Sequence, residues 1–229
     1  MARYCASDWH GNSSIAKQIL DYLKPDDELY FLGDAIDRGA DGWQILKMLL
    51  SDPRIIFIKG NHENIMQTYY RENSQKYLTH WLDNGGDSTL DAVERDSKDN
   101  LREILHKVEE LPTRIDLDTE KGHLILTHAG CWPDITDLNL PQNFVEEKYI
   151  WDRRHIWGEK WDNRYPDTYV IHGHTPVEIF AMPNDEKNFI PTVQFYCENH
   201  KIDIDMGTFY TGIAALLNLD TFEVKYFKE

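Results

Sequence analysis

Positive charge is scarce in this chain: 24 Lys and Arg stand against 40 Asp and Glu, a formal net charge of -16 with a pI near 5.0. That balance excludes a general attraction to nucleic acid or to an anionic membrane, so a polyanionic substrate needs local positive charge from metal ions and a few arginines. Cysteine is equally sparse. Cys5, Cys131 and Cys197 form no C-x-x-C and cannot all pair, which excludes a disulfide framework and points to free thiols in a reducing cytoplasm. No apolar run approaches a membrane span, and the start M-A-R-Y-C-A-S-D-W-H has no apolar signal core, so a soluble, cytoplasmic protein is expected. Repeats and low-complexity tracts are also missing. What remains is the composition of a folded protein, 41% hydrophobic and 28% charged over 229 residues, which fits one α/β domain spanning residues 1–229.

Short apolar, β-branched-rich runs recur, and each ends in polar residues of metal-ligand type. Residues 2–7 lead into D-W-H-G, 28–32 into G-D-A-I-D-R-G, 55–59 into G-N-H-E, 123–127 into H-A-G, and 169–171 into H-G-H-T. In open α/β sheets functional groups gather beyond the carboxyl ends of strands, so five such ends can converge on one site. Helical patterns follow the first three motifs, at 13–23 with Ser13 as N-cap, at 41–50 and at 62–72, in the order of βαβ packing. From about 74 to 111 a charged segment rich in helix formers reads as an inserted helical region, with Leu101, Ile104, Leu105 and Val108 on one face. T-E-K-G at 119–122 reads as a hairpin turn, later strands are expected at 201–206, 212–219 and 222–227, and 184–200 reads as a loop.

Asp8, His10, Asp34, Asn61, His128 and His174 supply oxygen and imidazole donors without a thiolate. This mixture suits manganese, iron or zinc better than calcium, which takes only oxygens. Each donor type is common in ordinary turns, and a lone D-x-H carries little. The set carries more, because every member sits at the end of an apolar run beside glycine. In G-D-A-I-D-R-G, Asp34 and Asp37 lie too close to be buried unpartnered, and the spacing alone leaves open whether they share a metal or have separate jobs.

The motifs, in this order and at these separations, resemble the calcineurin-like metallophosphoesterases, and within them the phosphoprotein phosphatases, above all the compact bacterial and lambda-phage-type serine/threonine phosphatases. The resemblance extends to H-W-L-D-N-G-G at 80–86, W-D-R at 151–153 and I-D-M-G at 204–207, and so covers most of the chain. It implies a central β-sandwich of mixed sheets flanked by helices, in four layers, and a site for two divalent metals, manganese first with iron or zinc as alternatives. Asp8 and His10 then bind the first metal, Asp34 bridges both, and Asn61, His128 and His174 hold the second. Asp37 is not a ligand in that scheme; it orients His62 as general acid, while Arg38 and Arg153 grip phosphate oxygens.

Other readings stay open at several positions. Arg38 also fits a structural salt bridge to Asp34 or Asp37, Arg153 adjoins Arg154, and His172 is either a ligand or a core residue. Trp81 is a candidate lining of the substrate groove. Ser7 stands where the family usually has glycine, and Pro176 where the wider superfamily often has another metal-binding histidine. The expected function is a metal-dependent phosphomonoesterase of the serine/threonine phosphatase type, acting on a phosphoprotein or small phosphate ester. The alternatives are dinucleoside polyphosphate hydrolysis and a non-catalytic binding module, whose signature, lost ligands or a lost acid, is not seen. No oligomeric state is implied.

Overall fold

Alternate residues of the central strands enter different cores, and this parity sets the architecture. The computed structural model describes residues 1–133, 140–157, 160–181 and 190–229. Strands β1 (Arg3–Ala6), β2 (Glu28–Phe31) and β3 (Ile55–Phe57) are parallel neighbours. On the other side of β1, β9 (Ile213–Asn218) and β10 (Val224–Lys228) continue the sheet antiparallel, giving the order β10-β9-β1-β2-β3. A second sheet comprises β4 (Arg114–Thr119), β5 (Gly122–Thr127), β6 (Thr168–His172), β7 (Gln194–Tyr196) and β8 (Lys201–Asp203) in the order β4-β5-β6-β8-β7. Its inner strands β5, β6 and β8 are parallel, and its edges β4 and β7 antiparallel.

Tyr30 and Leu32 pack with Leu124, Leu126, Ile171 and Ile202 between the two sheets. Leu29 and Phe31 point the other way, onto a cluster built with helices α1 (Ser13–Tyr22), α2 (Gly42–Leu49), α3 (Asn61–Glu72) and α6 (Lys98–Glu110). On the far side, Ile125 and Val170 pack with Tyr149 of α7 (Gln142–Trp151). The result is the expected α/β arrangement of two mixed sheets between helical layers. Strands buried on both faces read as unbroken apolar runs, which is why they stood out in the sequence.

The expected helical region at 74–111 consists of α4 (Gln75–Asp83), α5 (Asp87–Glu94) and α6. Three local expectations change. The cap of α1 is Asn12, whose Oδ1 accepts from the Ile15 amide at 3.0 Å, while the Ser13 hydroxyl donates to Asp41. The 184–200 stretch is not all loop: it contains β7, paired with β8, and its residues 184–189 lie outside the described residues. Helix α7 was not anticipated, since only Tyr149 and Ile150 of it are buried and no apolar stripe announces it. Among the described residues no helix is long and apolar enough to cross a membrane.

Candidate metal centre

Beyond the ends of β1 and β2 the backbone continues as two loops bonded to each other. The Asp8, His10 and Gly11 amides donate to the carbonyls of Gly33, Asp34 and Ala35 at 3.1, 3.0 and 2.9 Å. Glu63, fully buried in the first turn of α3, accepts from the Asp34, Ala35 and Gly60 amides at 2.8, 2.9 and 3.1 Å and so ties in the third loop. From the second sheet, Gly173 donates to the His128 carbonyl at 2.8 Å, and the His174 amide reaches Asp8 Oδ2 at 3.0 Å. This web holds Asp8, His10, Asp34, Asp37, Arg38 and His174 at φ values of 56°, 42°, 61°, 68°, 67° and 69°. Side-chain-bearing residues rarely adopt that left-handed region, and its concentration here marks a site whose surroundings over-determine the backbone.

The side chains at these strand ends lie close together. His10 Nε2 lies 3.9 Å from Asp8 Oδ1 and 3.6 Å from Asp34 Oδ2. Asp34 Oδ2 is also 3.5 Å from His128 Nε2 and 3.8 Å from His62 Nε2. Asn61 Oδ1 sits 2.8 Å from both His128 Nε2 and His174 Nδ1, which are 3.2 Å apart. Two compact donor groups result, His10 with Asp34 and His62, and Asp34 with His128 and His174; Asp34 belongs to both.

The donor chemistry fits cations. His10 and His128 give their Nδ1 protons to the carbonyls of Ile36 and Leu32 at 2.9 and 2.6 Å, which leaves both Nε2 lone pairs facing the site. His128 Nε2 and Asn61 Oδ1 therefore meet lone pair to lone pair, an arrangement that a cation resolves and a hydrogen bond between them does not. Burial pushes the His10 and His174 rings well below the usual imidazole range and His128 down to about 3, so burial favours the neutral, lone-pair-bearing form of all three. Burial also pushes the Asp8 and Asp34 carboxyls well up, with Asp205 adding to the first and Asp8 and Glu63 to the second. Buried carboxylates beside neutral imidazoles gain most from divalent charge.

Asp37 separates from Asp34. Its Oδ2 accepts from His62 Nδ1 at 2.7 Å, and it contributes to neither donor group. Arg38 makes no salt bridge to either acid among the described residues; its fork reaches His10 Nε2 at 2.7 Å and His62 Nε2 at 3.2 Å. Arg153 donates to Thr175 Oγ1 and the His174 carbonyl, both at 3.2 Å, while Arg154 turns away onto Asp152. His172 stands outside both groups, with Nε2 on the Tyr196 hydroxyl at 2.6 Å.

Trp81 does not line a groove. It is fully buried, and its indole donates to Asp37. The Ser7 hydroxyl donates to Asp8 Oδ2, so the residue in place of glycine holds the Asp8 carboxylate. Two participants escaped sequence reasoning. Glu63 was visible as the third helical residue after Gly60, the position from which a glutamate reaches back to the helix start. Asp205 is buried just past β8, where the strand-end rule applies again, and burial pushes its carboxyl up to about 6 against the opposing fields of Arg38 and Arg153.

A Cβ at Gly60 would lie 2.2 Å from Asp34 Oδ1 and 2.5 Å from the Asp34 amide. Gly60→Ala is therefore expected to abolish divalent-cation binding in isothermal titration while circular dichroism stays native. Binding at wild-type affinity would show that cation binding does not depend on Asp34 being held against Gly60.

Residues 1–205 match the calcineurin-like phosphoesterase family. The serine/threonine-protein phosphatase 2 of Salmonella typhimurium strain LT2 is 27% identical over 229 residues, covering 97% of this chain and 92% of that protein. The asymmetrical bis(5'-nucleosyl)-tetraphosphatase PrpE of Oceanobacillus iheyensis is 27% identical over 205 residues, 79% of this chain and 69% of that one. A protein serine/threonine phosphatase of Saccharomyces cerevisiae shares the fold with a TM-score of 0.62 at 15% identity, over 100% of this chain and 80% of its own. With its donor groups in place and most of its length matched, the chain belongs to the calcineurin-like phosphoesterase family and is a hydrolase.

Proposed function

We propose that the chain is a metal-dependent phosphomonoesterase acting on phosphoserine or phosphothreonine. The observation that carries this reading is the buried Asp37–His62 pair, 2.7 Å between Oδ2 and Nδ1, which ties His62 of the first donor group to a carboxylate that belongs to neither group. An alkoxide is a poor leaving group and needs a proton, whereas a polyphosphate departs as a stable anion and does not. A dedicated acid is thus best explained by an alkyl ester.

In this reading Asp8, His10 and Asp34 hold one cation, and Asp34, Asn61, His128 and His174 the other. Manganese is our first assignment, since the donors are nitrogen and oxygen with no thiolate. When bound, two such ions supply a water of lowered pKa and neutralise phosphate oxygens. Arg38 and Arg153 grip the phosphate, with Arg38 shifting its fork from the two imidazoles to phosphate oxygens and freeing His62 Nε2. A water oxygen forms the new P–O bond, releasing its proton to solvent, as the ester P–O bond breaks; the departing alkoxide takes the Nε2 proton of His62, while Asp37 keeps hold of Nδ1–H. His62 then recovers a proton from solvent, and the products are the free hydroxyl and inorganic phosphate. Both sheets contribute ligands, so residues 1–229 act as one catalytic unit. Cys5, Cys131 and Cys197 are buried thiols, which supports a reducing compartment, and we place the protein in the cytoplasm.

The second reading, hydrolysis of dinucleoside polyphosphates, is favoured by the tetraphosphatase relative, as similar in identity as the phosphatase one. Comparing kcat/KM on a phosphoserine peptide and on diadenosine tetraphosphate, after chelator stripping and manganese reloading, decides between them. The peptide is expected to be the better substrate; the reverse order refutes the phosphatase assignment, and activity surviving the stripping refutes metal dependence. His62→Asn is expected to lower kcat on the peptide on the order of 100-fold or more, with p-nitrophenyl phosphate far less affected and metal content unchanged. Metal loss in step with activity would make His62 a ligand instead.

A further inference from the structure

Trp81 and Trp43 are both fully buried and both give their N–H to a carboxylate, but the partner of Trp81 is Asp37, beside the donor groups. Trp81 Nε1 donates to both oxygens of Asp37, at 3.0 Å to Oδ1 and 2.9 Å to Oδ2. Asp37 is itself fully buried, so this carboxylate has no solvent to stabilise it. Oδ2 is shared with His62 Nδ1, while the indole is the one hydrogen-bond donor found on Oδ1 among the described residues.

The surroundings hold the indole in that orientation. Tyr69 and Tyr70 of α3 pack on its ring with centroids 5.5 and 6.0 Å away. The chain then folds back over the indole at Gly86, where a Cβ would come within 2.3 Å of the ring. Further along the same segment, Thr89 Oγ1 accepts from the Asp37 amide at 2.9 Å, and the Gly85 carbonyl accepts from the Arg38 amide at 2.7 Å. Residues 81–89 thus clamp Asp37 and Arg38 at φ values of 68° and 67°.

We infer that Trp81 is a positioning residue for phosphate-ester hydrolysis: its N–H fixes the plane of the Asp37 carboxylate so that Oδ2 faces His62 Nδ1 and His62 Nε2 stays aimed at the site. The inference rests on the reading of His62 as general acid. Without the indole N–H, Oδ1 loses its donor and the carboxylate is free to turn about its own bond toward other partners, taking the His62 ring with it. The packing around residue 81 needs a large aromatic ring; the hydrogen bonds need the nitrogen. Only the second requirement touches proton delivery, so the two separate by experiment.

The test is steady-state kinetics of the manganese-loaded full chain carrying Trp81→Phe, on a phosphoserine peptide and on p-nitrophenyl phosphate, whose leaving group needs no proton. The expected result is a fall in kcat of about tenfold or more on the peptide, a fall under about threefold on the aryl ester, and unchanged KM and metal content. Combined with Asp37→Asn, Trp81→Phe should add less than about threefold, because residues acting through one another are not additive. Equal losses on both substrates, no loss on either, or multiplying losses in the double variant overturn the inference. If the phenylalanine variant does not fold, benzothienyl-alanine at position 81 keeps the ring shape, removes only the N–H and is held to the same outcomes. His62→Asn serves as the reference. Selective loss there with unselective loss at Trp81 overturns this inference alone, whereas unselective loss in His62→Asn overturns the general-acid reading as well.

Discussion

Burying several carboxylates and imidazoles in one place is unfavourable unless charge of the opposite sign enters, and the rest of this fold is arranged around that fact. Asp8, Asp34, Asp205 and Glu63 lie within the same buried region, almost without solvent. Glu63 is satisfied by three backbone amides, which is a structural use of charge. Asp8 and Asp34 are only partly satisfied, and burial drives both toward the neutral form. Neutral imidazoles supply lone pairs and no compensating charge. The donor set therefore has the electrostatics of a receptor for cations, and the proposed pair of ions meets that need.

Geometry of this kind has to be imposed by the backbone. Six of the candidate residues hold left-handed φ values, a conformation that costs free energy at each position. The cost is met by the loops bonding to one another beyond the strands and by glycines where one backbone or side chain crosses another closely. Gly173 is the clearest case, since a Cβ there would lie 2.1 Å from both Asp8 Oδ2 and Ser7 Oγ. Parallel strands place these loops at a common end, and the sandwich core keeps the two sheets' contributions in register.

Much of this was legible beforehand because the signals were local. Apolar runs ending in Asp, His or Asn mark strands buried on both faces and the loops after them, and the family resemblance divided the roles of Asp34 and Asp37. In the structure Asp37 lies on His62, and Asp34 lies in both donor groups. What escaped notice depends on long-range contacts. Trp81 is 44 residues from Asp37 in the chain, and nothing near it tells that its nitrogen seeks a carboxylate and not a groove. Asp205 needs β8 paired beside β6 before it reaches the arginines, and β7 exists only because β8 offers it an edge. Asn12 displaced Ser13 as helix cap by one residue, the ordinary uncertainty of a helix end where two capping types adjoin.

The central claim is that one carboxylate, Asp34, organises two cations at once. Titrating chelator-treated protein with manganese, with bound metal counted by elemental analysis, tests it most directly. The account predicts two equivalents per chain in the native protein and loss of both together in Asp34→Asn. A single equivalent in the native chain, or one site left at full affinity in the variant, would contradict it.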